Sequence, residues 1–178
     1  MSAIYIHIPF CKTRCTYCDF HSGVNLSLKK RYIEALKKEI VLRKNYLENQ
    51  CIKTIYFGGG TPSLLESDDL KSIFDALNQN FDLSFCEEIT LECNPDDLSE
   101  NYVRQLTNLP INRLSIGIQS FNDSELKFIN RRHSAKQAED TVKRCQQNGF
   151  SNISVDLIFG LPFQTLESFE YNIDKAIE

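Results

Sequence analysis

No stretch of this 178-residue chain is long and apolar enough to span a bilayer, although peripheral membrane contact stays open. Its first residues, "MSAIYIHIPF", lack the basic region and the small-residue cleavage site of a secretory leader. Positive charge is not in excess. Lys and Arg total 20 against 24 Asp and Glu, a net charge of −4, and many of them ride on amphipathic segments such as "LKKRYIEALKKEI". A nucleic-acid partner is therefore not indicated. Low-complexity tracts and linkers are missing, and no Walker phosphate loop exists, because "GGGTPS" is not followed by GK[ST]. A disulfide framework is also not supported. The seven cysteines are an odd set with three crowded together, which suits a reducing compartment, and the cytoplasm is the expected location.

What remains is a globular composition, 42% hydrophobic and 25% charged, of a length that supports one domain with a real core. Five β-branched or aromatic runs stand out: "AIYIHI" (3–8), "KTIYFG" (53–58), "EITLEC" (88–93), "RLSIGI" (113–118) and "ISVDLIFG" (153–160). A helical pattern follows each run. Ser27 is expected to cap the first helix, which carries Tyr32, Ile33, Leu36 and Ile40 on one face. Ser67 is expected to cap the second, with Leu70, Ile73, Phe74 and Leu77 inward, and Ser99 the third, with Val103 and Leu106. Ser134 and Gln137 read as a capping box with Gly149 as its stop, and Thr165 opens a last helix with Phe169, Ile173 and Ile177 in register. Cys51, Cys86 and Cys145 read as small buried hydrophobes.

Strand–helix alternation repeated five times predicts a parallel α/β architecture over residues 1–178 as one unit, either doubly wound or a barrel. Nearly continuous apolar runs such as "SVDLIF" predict strands covered on both faces. The chain stops within its fifth helix, at "DKAIE", so the barrel reading is of a core incomplete at its C-terminus, lacking a sixth strand and any further domain.

Ligands of parallel α/β folds bind at the carboxyl ends of the strands. Each predicted strand has chemistry there: the cysteines after the first, Gly58 to Gly60 after the second, Glu92, Cys93 and Asn94 at the third, Gln119 and Ser120 at the fourth, and Asp156 on the fifth. In "CKTRCTYC", Cys11, Cys15 and Cys18 share one short loop and can converge on a single centre. With His21 they would make a Cys3His zinc site, although structural zinc sites usually draw ligands from two separate segments. "CTYC" also has the spacing of a redox dithiol. Three thiolates on a [4Fe–4S] cluster would leave one iron open to an exchangeable ligand, the reading that motif and context favour. "GGGTP" is either a tight strand-to-helix crossing or a bare backbone for an amino acid head group. Glu92 and Asp156, acids at the ends of apolar strands, need partners.

Together, the cysteine spacing with Tyr17 before the last cysteine, and "GGGTP" on the next strand, resemble the radical S-adenosylmethionine superfamily. "YIHIPFC", "YFGGGTPS", "LECNPDDL", "NRLSIGIQSF" and "DLIFGLPFQT" narrow the resemblance to the group of oxygen-independent coproporphyrinogen III oxidases and HemW-type heme chaperones. That resemblance implies a partial (β/α)6 barrel, of which five units are present, with the cluster on Cys11, Cys15 and Cys18. It implies S-adenosylmethionine bound at the open iron, its amino acid moiety held by Gly59, Gly60 and Thr61. Tyr5, Tyr17, Glu92, Gln119, Arg131 and Asp156 would line the cofactor sites. The implied reaction is reductive cleavage of the sulfonium to methionine and a 5′-deoxyadenosyl radical. The oxidases of this group have a further cysteine two residues after the third ligand, where this chain has Phe20. That departure favours heme binding and transfer to an acceptor protein over porphyrinogen decarboxylation. A cluster- or zinc-binding fragment without catalysis is the third reading. Heme would need an axial ligand, for which His7, His21, His133 and Cys93 are the candidates. Of these, His7 reads as a core histidine with a satisfied hydrogen bond and His133 as a surface loop residue.

Overall fold

The computed structural model describes residues 2–47 and 51–178. Five strands, β1 (Ser2–Ile8), β2 (Ile52–Gly59), β3 (Glu88–Cys93), β4 (Arg113–Gln119) and β5 (Ile153–Leu157), form one sheet. Its order is β1-β2-β3-β4-β5 and every neighbouring pair is parallel. Sequential order decides between the two architectures. Each crossover moves one place in the same direction, and crossovers of one hand then put all the helices on one face. The sheet is singly wound, an open partial barrel.

The helices are α1 (Lys29–Leu42), α2 (Ser67–Asn80), α3 (Glu100–Leu106), α4 (Asp123–Phe128), α5 (Ala135–Gln147) and α6 (Leu166–Ile177). None among the described residues is long and apolar enough to cross a membrane. Ser99, Ser134 and Thr165 cap α3, α5 and α6, each side chain accepting an N–H three residues on, and Gly149 follows α5 at φ 97°. Two expected caps move. Asn25, not Ser27, caps a short 3-10 turn that precedes α1, and Glu66 forms a capping box with Asp69, putting Ser67 inside α2.

In-register rows explain the two faces of the sheet. Ile6, Phe57, Leu91, Leu114 and Ile153 stand side by side facing the helices, and Ile8, Ile55, Ile116 and Leu77 belong to the same core. The next row, Tyr5, Tyr56, Thr90 and Arg113, faces the concave side and is polar, as is Glu92 beside Ser115 and Ser154. The expectation of strands covered on both faces fails there. β5 is also shorter than expected, ends at Leu157, and as an edge strand buries none of its residues fully. Cys145 is buried and Cys86 half-buried, but Cys51 is exposed just before β2, contrary to expectation.

The last helix departs most. Ile173 and Ile177 face outward, 39% and 79% exposed, and the buried residue of α6 is Asn172. Asn172 Oδ1 accepts from Phe121 N at 2.7 Å, and its amide reaches Glu125. Buried Glu125 also accepts from Ser120 Oγ at 2.6 Å and Gln164 Nε2 at 3.0 Å. Ser120 thus serves this fastening and not the rim of the strands.

Candidate functional site

A cavity of about 440 Å³ opens at the carboxyl ends of the strands, lined by residues from the loops after all five. Its first wall is the cysteine loop. Cys11 N donates to Gly23 O and Gly23 N to Pro9 O, both at 3.0 Å, closing the loop at its base. The α4–α5 connection holds the loop's far side: Thr16 N donates to Ile129 O, and Asn130, in the left-handed region at φ 59°, donates to Arg14 O at 2.8 Å. Cys11, Cys15 and Cys18 are free, half-buried and lie on the cavity wall. Thr61 Oγ1 lies 3.5 Å from Cys11 Sγ as donor, and Arg131 approaches Cys15 Sγ at 3.6 Å. Arg131 also donates to Asn94 Oδ1 at 2.7 Å and to Gly117 O, so its guanidinium is fixed over the site and not solvated. Tyr17 stands beside Cys15, where burial pushes its phenol up to about 12 and keeps it neutral.

His21 does not complete a metal site. Its ring tilts against His7 at 6.2 Å, its carbonyl accepts from His7 Nε2 at 2.9 Å, and it is absent from the cavity wall. Among the described residues no three His, Cys, Asp or Glu side chains are grouped closely enough to hold one metal ion. The three cysteines share one cavity wall without being drawn together on a single ion.

The glycine run does less and more than its composition suggested. Gly59 N donates to Glu92 Oε2 at 3.1 Å and Gly60 N to Ile8 O at 2.8 Å, so both N–H groups are already engaged. A Cβ on Gly60 would fall 2.7 Å from Phe10 O, so this glycine lets the cysteine loop lie against β2. Gly59, at φ 112°, backs onto the His7 ring in the same way.

Both strand-end acids have partners. Glu92 accepts from Tyr56 Oη at 2.7 Å as well as from Gly59 N, and burial raises its pKa against those bonds. Burial likewise raises Asp156, opposed by a bond from Ser115 and by the charges of Arg113 and Arg131. Gln119, buried on the cavity wall, adopts φ 72°, and its amide lies over Gly117, where a Cβ would meet Nε2 at 2.8 Å. A non-glycine residue held there at the end of a strand marks stored strain at a site.

The residues expected to hold the cluster or line the cofactor sites all border the cavity except Tyr5, whereas Gly58, Ser120, His7, His21 and His133 do not. Tyr5 is 57% exposed on the concave face, stacks on Tyr56 and donates to His7 Nδ1 at 3.2 Å. Of the heme-ligand candidates, His133 is buried, contrary to its expected place on a surface loop. Its Nε2–H donates to Ile118 O at 3.0 Å, Nδ1 has no partner, and burial next to Arg131 takes its pKa down to about 4. Cys93 is buried, and burial raises its thiol well above the usual range. Sequence reasoning missed Lys12, Asp96 and Arg132 on the cavity wall and Ser63 and Asp97 behind it, which together tie the loops to one another; the paired acids of "NPDD" just past β3 were the available signal.

A singly wound parallel sheet with a polar concave face and three free thiols at its carboxyl rim defines a partial barrel built to hold a cofactor at its strand ends. The chain belongs to the radical SAM superfamily, whose model matches residues 5–176. It is 40% identical over 182 residues to the heme chaperone HemW of Bacillus subtilis (strain 168), covering 99% of this chain and 47% of that protein. It is 34% identical to the heme chaperone HemW of Escherichia coli (strain K12), with coverages of 99% and 47%. The chain thus spans about half the length of these curated relatives. Among solved structures, the coproporphyrinogen III oxidase HemN of Escherichia coli superposes with a TM-score of 0.88 at 30% identity, over 97% of this chain and 40% of that one. Family membership implies a [4Fe–4S] cluster and S-adenosylmethionine. The residues present fit those groups: three free thiols on one cavity wall, donors aimed at two of the sulfurs, and a wall that also carries both acids and a fixed arginine.

Proposed function

We propose that this chain is the cluster-carrying part of a heme-handling protein that binds heme and passes it to an acceptor protein in the reducing cytoplasm. The observation that carries the reading is the set of three free thiols on one cavity wall, with Thr61 and Arg131 directed at Cys11 and Cys15. In it, Cys11, Cys15 and Cys18 hold a [4Fe–4S] cluster and Gly59, Gly60 and Thr61 face the amino acid end of S-adenosylmethionine. The bound pair supplies one-electron chemistry. Arg131 holds its charge against the cysteine loop, Glu92, Gln119 and Asp156 offer acceptors and an amide to the nucleoside side, and Tyr17 shields the loop from water. Tyr5 acts from outside by holding His7 against Gly59. With His7 engaged at both ring nitrogens and His133 and Cys93 buried, exposed His21 is the candidate axial ligand for heme.

Two relatives named heme chaperones support the chaperone reading. The likeness to HemN favours a second one, oxidative decarboxylation of coproporphyrinogen. Phe20 weighs against it: an apolar ring, 64% exposed on the cavity wall, stands where the oxidases of the group carry a cysteine. Anaerobic reconstitution followed by EPR tests the site. A reduced-cluster signal that shifts with S-adenosylmethionine and is lost in Cys18→Ser is expected; stoichiometric zinc without that signal would sink the reading. Heme titration against coproporphyrinogen turnover then separates chaperone from oxidase, with heme uptake and no turnover expected.

A further inference from the structure

One carboxylate stands behind the cavity and joins four of its loops. Asp97, in the loop after β3, has a side chain only 2% exposed. It accepts from Lys12 Nζ of the cysteine loop at 2.6 Å and from Ser63 Oγ of the loop after β2 at 2.9 Å. Arg132, from the α4–α5 connection, approaches it at 3.5 Å and pairs with neighbouring Asp96. Ser63 Oγ in turn accepts from Asn94 N at 3.2 Å, and Asp97 N donates to Asn94 O at 3.1 Å. A charge this buried is retained only where its partners are fixed, and the partners of Asp97 belong to separate loops.

Lys12 gives the hub its meaning. It is the residue after Cys11 and borders the cavity, yet its ammonium is drawn back onto Asp97. We infer that Asp97 is a positioning residue: through Lys12 it sets the cysteine loop in its cluster-accepting shape before any cluster arrives, and through Ser63 and Arg132 it keys that loop to the other loops of the site. This rests on the cluster reading above, but the ordering of the loop is a property of the protein alone. Without the carboxylate, the Lys12 cation loses its anchor and is free to turn toward the thiols, and the first segment of the loop loses its tie to the loop after β3.

The test uses the full chain and three variants: Asp97→Asn, which keeps the shape and removes the charge, Lys12→Met, which removes the loop's partner, and Lys12→Arg, which restores a cation. In the cluster-free protein, amide exchange across residues 11–18 is expected to be about tenfold faster in the first two variants and near wild type in Lys12→Arg. After anaerobic reconstitution, iron and sulfide content is expected to fall by roughly half or more in the first two, with a broadened EPR signal that responds weakly to S-adenosylmethionine, and to recover in Lys12→Arg. Should Asp97→Asn fail to fold, Lys12→Met, altered at a partly exposed side chain, carries the test. A wild type that loads a cluster, with variants equal to it in exchange, loading and spectrum, overturns the inference. A wild type that takes up no cluster overturns the cluster reading instead. The exchange comparison then still decides, since unchanged exchange overturns the clamp as well.

Discussion

Gly60 has no side chain because the cysteine loop occupies the place where one would be. Its Cβ would meet backbone atoms of Phe10 and Ile8, which have no rotamer to relieve the contact. Gly60→Ala should therefore cost about 1–3 kcal/mol in urea unfolding and displace the loop enough to lower cluster loading. A substitution with normal loading would show that the loop is placed by its other ties. His133 makes a second prediction at this scale. Its folded pKa of about 4 lies below the 6.5 of the unfolded chain, so between those values the unfolded state binds the extra proton and stability falls as pH falls. The window is pH 6.5 to 4, and the loss across it should be about 3 kcal/mol, a ceiling set by the size of the shift. The raised carboxyls of Glu92, Asp96 and Asp156 impose the opposite slope at the acid end of that window. Comparing urea midpoints of wild type and His133→Gln across the window isolates the histidine; identical pH profiles would mean that His133 titrates normally.

The elements differ in what fastens them. α2 lies on the sheet through Leu70, Ile73, Phe74 and Leu77, all but fully buried, an amphipathic face legible as i, i+3, i+4, i+7 spacing. α6 is held by a polar plug, Asn172 against Phe121 N and Glu125, while Ile173 and Ile177 point away. Apolar spacing cannot reveal an element docked through an amide, which is why the register of Phe169, Ile173 and Ile177 misled. Asn172→Ala leaves Phe121 N without its partner and should cost about 1–3 kcal/mol. The loss should be local. Hydrogen exchange is expected to rise in α6 and β5 first, with β2 and β3 protected as before, and a uniform rise over the whole sheet would contradict it.

Across the whole molecule, what the sequence disclosed and what it hid divide by range. The strands, the caps at Ser99, Ser134 and Thr165, and the loop of Cys11, Cys15 and Cys18 depend on neighbours a few residues away. The bond of Lys12 to Asp97 spans 85 residues and that of Arg131 to Cys15 spans 116, and no local pattern encodes either. His133 looked superficial for the same reason: a polar "NRRH" gives no sign that strand β4 will offer Ile118 O to it. Strand order was equally silent, because alternation of strands and helices is common to singly and doubly wound sheets.

That order carries a consequence for growth. With β1 to β5 laid down in sequence, each strand after β1 finds one neighbour already made, so the sheet can accrete vectorially as the chain is synthesised. The cysteine loop, following β1, therefore stands at the edge of the sheet that is laid down first.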